Sequence, residues 1–463
     1  MSSTSGSRMS EHEFDVVVLG AGAPGEVCAG RLAEGGLEVA IVEPHLVGGE
    51  CSYYACMPSK ALLRPAEALA EVRRIPGAAQ AAAGELDVRA ALKRRDEVIH
   101  DLDDSGQLPW LKQREIELYR GAGRLHGERR VIVGEDTLLA RRAIVVATGS
   151  EPAIPPIEGL PESKPWDNRE ATTSKRVPES LVVLGGGPVG VEMAQAWRSF
   201  GAEVSVLEAA EKLLPNEEPF ASDQVSWALR KGGVDVRTGA HATRARGENG
   251  RVVVELEGGE GVRGEKLLVA VGRKARVDGI GLETVGVEVG RWLAVDDQLR
   301  VGGSEWLYAV GDVNGRSLLT HMGKYQGRLA ADHVLGKEVA ATADKRGAPR
   351  VTFTDPQVAA VGHTLASADE AGMNARAVDV PTAATAGASF HGRNMPGTSR
   401  IVVEQGRGVI VGATFVGPET AEWLHAATIA IVGEVPLAAL WHAVPAFPTR
   451  SEVWLKLLEE YGL

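Results

Sequence analysis

An α/β fold is predicted by three features of the sequence. A valine-rich strand pattern runs into a glycine-rich turn, a helix pattern and a second strand between Phe14 and Glu43. The same series returns at 181–208. Glycine is in excess, 56 of 463 residues, about 12% against an average near 7%, so backbone must turn tightly or approach a ligand closely. The first glycines of the two series, Gly20 and Gly185, stand 165 positions apart. That distance reads as duplication of a nucleotide-binding unit, not as a short-period solenoid. Two Rossmann-like dinucleotide-binding domains are therefore expected.

The elements follow in order. FDVVVLG is apolar and valine-rich, as a strand of a buried parallel sheet is. GAGAPG comes next, then a helix pattern through Ala33, a glycine break, and LEVAIVE ending at Glu43. Residues 60–100, rich in Ala, Glu and Arg, read as helices, and 115–147 as short strands ending in AIVVATGS. EPAIPPIEGLPESKP (151–165) holds five prolines and reads as a linker crossing. The second copy is LVVLGGGPVG, a helix through Phe200, a break at Gly201 and EVSVLE. RVVVELEGG–EGVRGEKLLVAVG then reads as a hairpin plus a return strand. Residues 350–416 carry β signals, including a hairpin turning on GRG, followed by helices at 418–443, a proline-rich loop and a terminal helix at 450–461. The C-terminal part is thus α+β.

Composition excludes several classes. With 50 Lys+Arg against 62 Asp+Glu the net charge is −12, which argues against non-specific binding to nucleic acid or anionic lipid. No apolar run reaches the ~18 residues of a membrane span, so no integral membrane association is expected. MSSTSGSRMSEH lacks the apolar core of a signal peptide, and a frayed tail and a cytoplasmic location are expected. Three cysteines, Cys28, Cys51 and Cys56, do not make a disulfide-stapled secreted scaffold. Their spacing does not suit a zinc finger, and no metal is expected.

In Gly20-Ala21-Gly22-Ala23-Pro24-Gly25 the first glycine makes the turn. The second lets backbone meet a pyrophosphate at the helix N-terminus, and the third lets helix and strand pack closely. Glu43 lies 18 residues beyond Gly25, where a ribose hydroxyl needs an acceptor. Gly185, Gly187 and Gly190 repeat the pattern, with Glu208 again 18 residues on. Two units imply two dinucleotides. An acid at the strand end favours NAD over NADP, because it repels a 2′-phosphate, and AAEKLL (209–214) brings one lysine and no arginine. Directly after the first unit comes GGECSYYACMPSKALL. Cysteines five apart on an ideal helix lie about 8.7 Å apart, whereas a disulfide needs roughly 4.4–6.8 Å, so bridging requires an irregular turn at the helix start. A helix N-terminus also lowers a thiol pKa. Two buried structural cysteines are one reading. A redox pair is the other, favoured by the position after a dinucleotide unit.

G-G-x-C-x4-C-x-P-S-K resembles the redox-disulfide signature of the flavin-dependent pyridine nucleotide–disulfide oxidoreductases. Its Pro-Ser-Lys ending is most similar to the dihydrolipoamide dehydrogenase and mercuric reductase branch. ATGS (147–150), AVGRKAR (270–276), YAVGDVNG (308–315) and FTDPQVAAVGHT (353–364) resemble the end of that family's FAD crossover, the exit strand of its NAD domain, its second FAD signature and the opening of its dimerisation domain. The resemblance implies an FAD domain (1–150), an NAD domain (151–275), a central domain completing the FAD site (276–345) and a dimerisation domain (346–463). It implies that Gly20, Gly22, Gly25, Glu43, Gly49, Lys60, Ala122, Gly123, Thr148, Gly149 and Asp312 hold FAD. It implies that Gly185, Gly187, Gly190, Glu208 and Gly272 hold NAD(H). Cys56 would be the thiolate beside the flavin, Cys51 the thiol that exchanges with substrate, and Lys60 would pair with Glu192 near the flavin N5. In a homodimer, electrons would pass from NADH through FAD and a Cys51–Cys56 disulfide to a small-molecule acceptor.

The C-terminus departs from the family's H-x-H-P-T-x-S-E. Here it reads His442-Ala-Val-Pro-Ala-Phe447-Pro448-Thr449-Arg450-Ser451-Glu452. Glu452 keeps the orienting position, but Phe447 stands where the base is expected, and a phenyl ring takes no proton. His442 reads as a structural or exposed histidine. Ser52-Tyr53-Tyr54-Ala55 is bulkier than the family's usual loop, and no cysteine near the C-terminus supports mercury reduction. His321 falls where the family often has a histidine near the flavin, and a buried structural histidine is the alternative. The acceptor is expected to be a disulfide or, taken directly from the flavin, a quinone-like molecule. A non-catalytic flavin-loaded binding subunit is the remaining reading.

Overall fold

A computed structural model describes residues 10–392 and 395–463. They form two compact units, each assembled from three segments: the described residues up to Met57, Ile99–Glu151 and Arg273–Asp344 in the first, Pro58–Val98, Pro152–Gly272 and the described residues from Lys345 to Leu463 in the second.

The first unit is built on a sheet whose central strand, Ser10–Leu19, pairs in parallel with Val39–Glu43 on one side and Asp136–Val146 on the other. Glu117–Arg120 extends one edge in parallel, and Arg130–Val133 with Gly123–Leu125 form an antiparallel meander on the other. Leu307–Ala309 also pairs in parallel with Asp136–Val146. Strand alternation explains the valine run. Val16 and Val18 pack under the helices Ala23–Glu34 and Thr320–Val334, with Cys28, Ala29, Leu32, Ala330 and Ala331. Val17 and Leu19 face a second core with Leu125, Val131 and Leu307. The two helices meet at glycines: a Cβ on Gly327 would lie 2.5 Å from the Pro24 carbonyl oxygen.

The second unit holds a parallel sheet in the order Asp235–Arg237, Glu203–Leu207, Ser180–Leu184, Lys266–Val269. The helix Pro188–Ser199 buries Trp197 in its core. Ala242–Glu248, Arg251–Leu256 and Gly261–Gly264 form the expected hairpin and its neighbour. A five-stranded antiparallel sheet, in the order Arg350–Thr352, Gln357–Gly362, Val409–Gly417, Thr398–Glu404, Ala375–Pro381, carries the helices Leu424–Val432 and Val453–Tyr461 on its core.

Details differ from the sequence reading. The first described strand begins at Ser10, ahead of Phe14. The helices expected at 418–443 are Leu424–Val432, which ends before Glu434, at φ +47°, and a short helix Leu437–Leu440 preceded by Pro436. The terminal helix starts at Val453, after a 3-10 turn Arg450–Glu452. Among the described residues no helix is long and apolar enough to cross a membrane.

Candidate active site

The two glycine loops repeat each other residue by residue. Gly20 has φ +106° and Gly185 φ +107°. A Cβ at either would strike the carbonyl oxygen of the neighbouring strand's end, Ala147 at 2.4 Å and Ala270 at 2.5 Å. Gly25 and Gly190 lie so close to the turns that a Cβ would sit 2.0 Å from the carbonyl oxygens of Gly20 and Gly185. Gly22 and Gly187 cap their helices in extended backbone. The space beside them is open: the nearest atom to a Gly22 Cβ is 4.0 Å away, and nothing lies within 4 Å of one on Gly187. Tight packing at the outer glycines with open approach at the middle one fits a pyrophosphate seated on unpaired helix N–H groups.

Both strand-end glutamates also grip their own loops. Glu43, 7% exposed, accepts from the N–H groups of Ala21 and His45, each at 2.8 Å. Glu208 accepts from Gly186 N–H and, at 2.7 Å, from Ala210 N–H. Each carboxylate is thus oriented before any ribose arrives. Next to Gly25, Glu26 is set apart by its charge state. Burial pushes its carboxyl up to about 7, Lys324 opposes this and Glu43 adds to it.

The cysteines lie on two helices, not one. Gly49–Tyr53 carries Cys51, and Cys56 opens Cys56–Arg74. The break supplies the irregular turn that the spacing requires. Both are free thiols, hydrogen-bonded to each other, and no disulfide joins them. The Cys56 hydrogen bond, then burial, raises the Cys51 thiol; Thr320 and Lys324 act in the opposite direction. Cys56 Sγ lies 3.3 Å from Thr320 Oγ1. Cys28, fully buried, is pushed up to about 12 by desolvation.

The remaining flavin-side candidates in this unit sit around the same strand ends. Gly49, at φ +62°, packs against Gly22, where a Cβ would come within 2.7 Å of its Cα. Thr148 Oγ1 donates to the Arg276 carbonyl at 2.7 Å, and Gly149 turns at φ +76°. Asp312 accepts from Ser150 Oγ at 2.6 Å, which in turn accepts from Arg273 Nε at 2.6 Å. Burial raises the Asp312 carboxyl, against Ser150 and Arg273. Gly123 packs on Leu19 and Val42, while Ala122 is exposed. His321 is exposed; its helix neighbour Thr320 is the residue that reaches Cys56, since successive helix residues diverge by about 100°.

In the second unit Lys60 Nζ pairs with Glu192 Oε2 at 2.8 Å, the glutamate side chain being 5% exposed. Glu192 Oε1 accepts from Phe353 N–H at 2.9 Å, and Lys60 Nζ lies 4.7 Å from the centre of the Phe353 ring. Gly272 turns at φ +133°. Glu452 accepts from Gly387 N–H at 3.0 Å, and Gly387 is pressed against Thr449, 2.2 Å from a Cβ position. Phe447 is 76% exposed, and His442 is exposed. Glu71, His391 and Glu419 bring ligand atoms within 4.8 Å of one another, but Arg450 already meets Glu419 at 2.7 Å.

Sequence reasoning missed Glu26, Thr320, Lys324 and Phe353. The acid following Gly25 was legible in GAGAPGE; the others depend on contacts between distant segments.

Two dinucleotide seats, with a dithiol on the chain leaving the first, define a nucleotide-dependent thiol redox protein. The chain belongs to the pyridine nucleotide-disulphide oxidoreductase family, which it matches over residues 14–327, and that family's dimerisation domain matches over 348–458. It is 34% identical over 455 residues to a dihydrolipoyl dehydrogenase of Thermus scotoductus, covering 96% of this chain and 97% of that one. With a dihydrolipoyl dehydrogenase of Zymomonas mobilis it shares 31% identity, over 98% and 99%. Among solved structures it is similar to a Cu(II) complex of the HOCl-induced flavoprotein disulfide reductase RclA from Escherichia coli. There the TM-score is 0.86 and the identity 26%, over 97% of this chain and 99% of that one. The protein is an FAD- and NAD(H)-using oxidoreductase of the disulfide-reductase class, and its dimerisation domain supports a homodimer.

Proposed function

We propose that this enzyme takes a hydride from NADH at the Gly185–Glu208 seat and delivers two electrons to the Cys51–Cys56 pair and on to a small disulfide. The net reaction is NADH + H⁺ + RSSR → NAD⁺ + 2 RSH. FAD, when bound, supplies the two-electron relay between nicotinamide and thiols. The domains run 1–150, 151–275, 276–345 and 346–463 in this reading. Gly20, Gly22, Gly25 and Gly49 admit the pyrophosphate, Glu43 takes the ribose, and Asp312 takes the ribityl chain, with Ala122, Gly123, Thr148 and Gly149 lining the approach. Cys51 exchanges with substrate, while Thr320 holds Cys56 by its hydroxyl. Lys60 and Glu192 face the flavin. The observation that carries the reading is the Cys51–Cys56 contact in the same compact unit as the first glycine loop.

A second acceptor class is favoured by Phe447. With no imidazole at that position and Glu452 engaged by Gly387, a quinone-like acceptor that needs no thiol base is the alternative to a disulfide. Its partners are small molecules, not nucleic acid, and its place is the cytoplasm. Anaerobic NADH titration followed by lipoamide, glutathione disulfide and quinones as acceptors is the test. Two-electron reduction should give a long-wavelength absorbance that Cys56→Ser abolishes. Absence of turnover with every acceptor would leave only a flavin-loaded binding subunit.

A further inference from the structure

We propose that Phe353 is a positioning residue of the hydride-transfer site: it fixes the Lys60–Glu192 pair by holding both members at once, glutamate through its backbone N–H and lysine through its ring. The inference rests on the reading of that pair as flavin-facing.

Glu192 is nearly buried and has both oxygens taken, Oε2 by Lys60 at 2.8 Å and Oε1 by Phe353 N–H at 2.9 Å. It therefore cannot follow the lysine if the lysine swings away. Lys60 is 35% exposed and sits on a flexible four-carbon stem, so its ammonium has a choice between water and the glutamate. The Phe353 ring, 4.7 Å from Nζ, covers one side of it with the electron-rich face that attracts a cation. The ring is in turn held by its own strap. Asp355 N–H donates to Gln195 Oε1 at 2.9 Å, and Gln195 lies three residues beyond Glu192 on the same helix. Arg74 Nη1 donates to Asp355 Oδ2 and Gln357 Nε2 to Glu67 Oε1, both at 2.9 Å, from and to the helix that carries Lys60. Residues 353–357 thus fasten the lysine helix, at Glu67 and Arg74, to the glutamate helix, at Glu192 and Gln195. The ring stands where the two charges meet.

In hydride transfer one proton and two electrons leave NADH, which becomes NAD⁺; FAD, when bound, would take them up, and the Lys60 ammonium kept in place would oppose the added negative charge. An aliphatic side chain at 353 keeps the backbone bond and loses the ring face, so the two halves of the grip separate experimentally.

The test uses the FAD-loaded enzyme with Phe353→Leu and Phe353→Tyr, and Phe353→Met as an apolar second variant should leucine fail to fold. Acetylation of Lys60 by acetic anhydride, read by mass spectrometry against the other lysines, should be about fivefold faster in Phe353→Leu and unchanged in Phe353→Tyr. The limiting rate of flavin bleaching by NADH should fall by about fivefold in the leucine variant, with unchanged NADH affinity, and recover with tyrosine. In a Lys60→Met background, Phe353→Leu should slow bleaching no further. Wild-type labelling and bleaching in Phe353→Leu overturn the proposal. So does an equal slowing with and without Lys60, which marks a merely structural residue. Wild-type bleaching in Lys60→Met overturns the flavin-facing reading itself, and Lys60 labelling then still decides whether the ring holds the ammonium.

Discussion

Glu26 shows how one side chain can tie protonation to folding. Its carboxyl titrates near 4.5 when free and at about 7 in the folded protein. A raised folded-state pKa gives stability that is in full below about 4.5 and is lost as pH rises through about 7. Glu26→Gln should leave the melting temperature of the FAD-free protein nearly unchanged at pH 5 and raise it at pH 8, by roughly 3 °C. An equal gain at both values would show that ionisation is not the cause. The same substitution removes a negative charge from the first turn of a helix whose N-terminus favours anions. Flavin retention at alkaline pH should improve with it. Nothing in the glycine spacing forecasts this: the identity of Glu26 is plain in the sequence, but its burial beside Glu43 comes from the fold.

At the scale of elements, the two fingerprint units were legible because their demands are stereochemical and local. Positive φ at Gly20 and Gly185, and a helix pressed on a turn at Gly25 and Gly190, leave no choice of residue. The Cys56–Thr320 contact joins residues 264 apart and Lys60–Glu192 residues 132 apart. Family resemblance points to the lysine–glutamate pair; it points to His321 and not to the adjacent Thr320, because helical phase against another segment is invisible in a single strand of letters. The second unit should select NADH over NADPH by at least tenfold in kcat/KM, about 1.4 kcal/mol. Glu208, locked by Gly186 and Ala210, cannot swing aside from a 2′-phosphate. Comparable values for the two would show that another side chain supplies the missing cation. In the C-terminal loop, Phe447→His should raise lipoamide reduction by a factor within the roughly 10²–10⁴ typical of a positioned acid–base group, and leave quinone reduction nearly unchanged. Because the Cys51 thiol is raised, any disulfide activity of the unaltered enzyme should climb with pH. A flat profile with fast lipoamide turnover, lost in His442→Ala, would assign the base to His442.

For the whole molecule, the chain passes between its two units five times, and each unit is closed only when a late segment returns. Asp312 and Thr320 reach the first unit's strand ends and cysteines from the third of its segments, and Phe353 reaches Lys60 and Glu192 from the last segment of the second. Sequence order therefore conveys the number of nucleotide seats and the kind of chemistry, since glycines and cysteines announce themselves. It conveys less about which late residues complete each site. The acceptor is the least legible feature, because no motif names it: Phe447 stands where a base is expected, and Tyr53 is buried in the core and not open to a ligand.

Cys28 offers a way to watch that closure. It lies fully buried in the first fingerprint helix, with its thiol pushed up to about 12, whereas Cys51 and Cys56 are partly exposed. In the reduced protein alkylation should therefore proceed in two kinetic classes, with two thiols marked while the protein is folded and the third only when the core around the glycine loop opens. The slow class is a built-in clock for that opening, and added FAD should slow it in proportion to saturation, since a ligand bound only to the closed form draws the equilibrium toward it. Timed alkylation read by peptide mass would then report flavin affinity with no turnover at all. Modification of Cys28 as fast as that of Cys51 in the folded enzyme would show that the seat breathes far more freely than its packing implies.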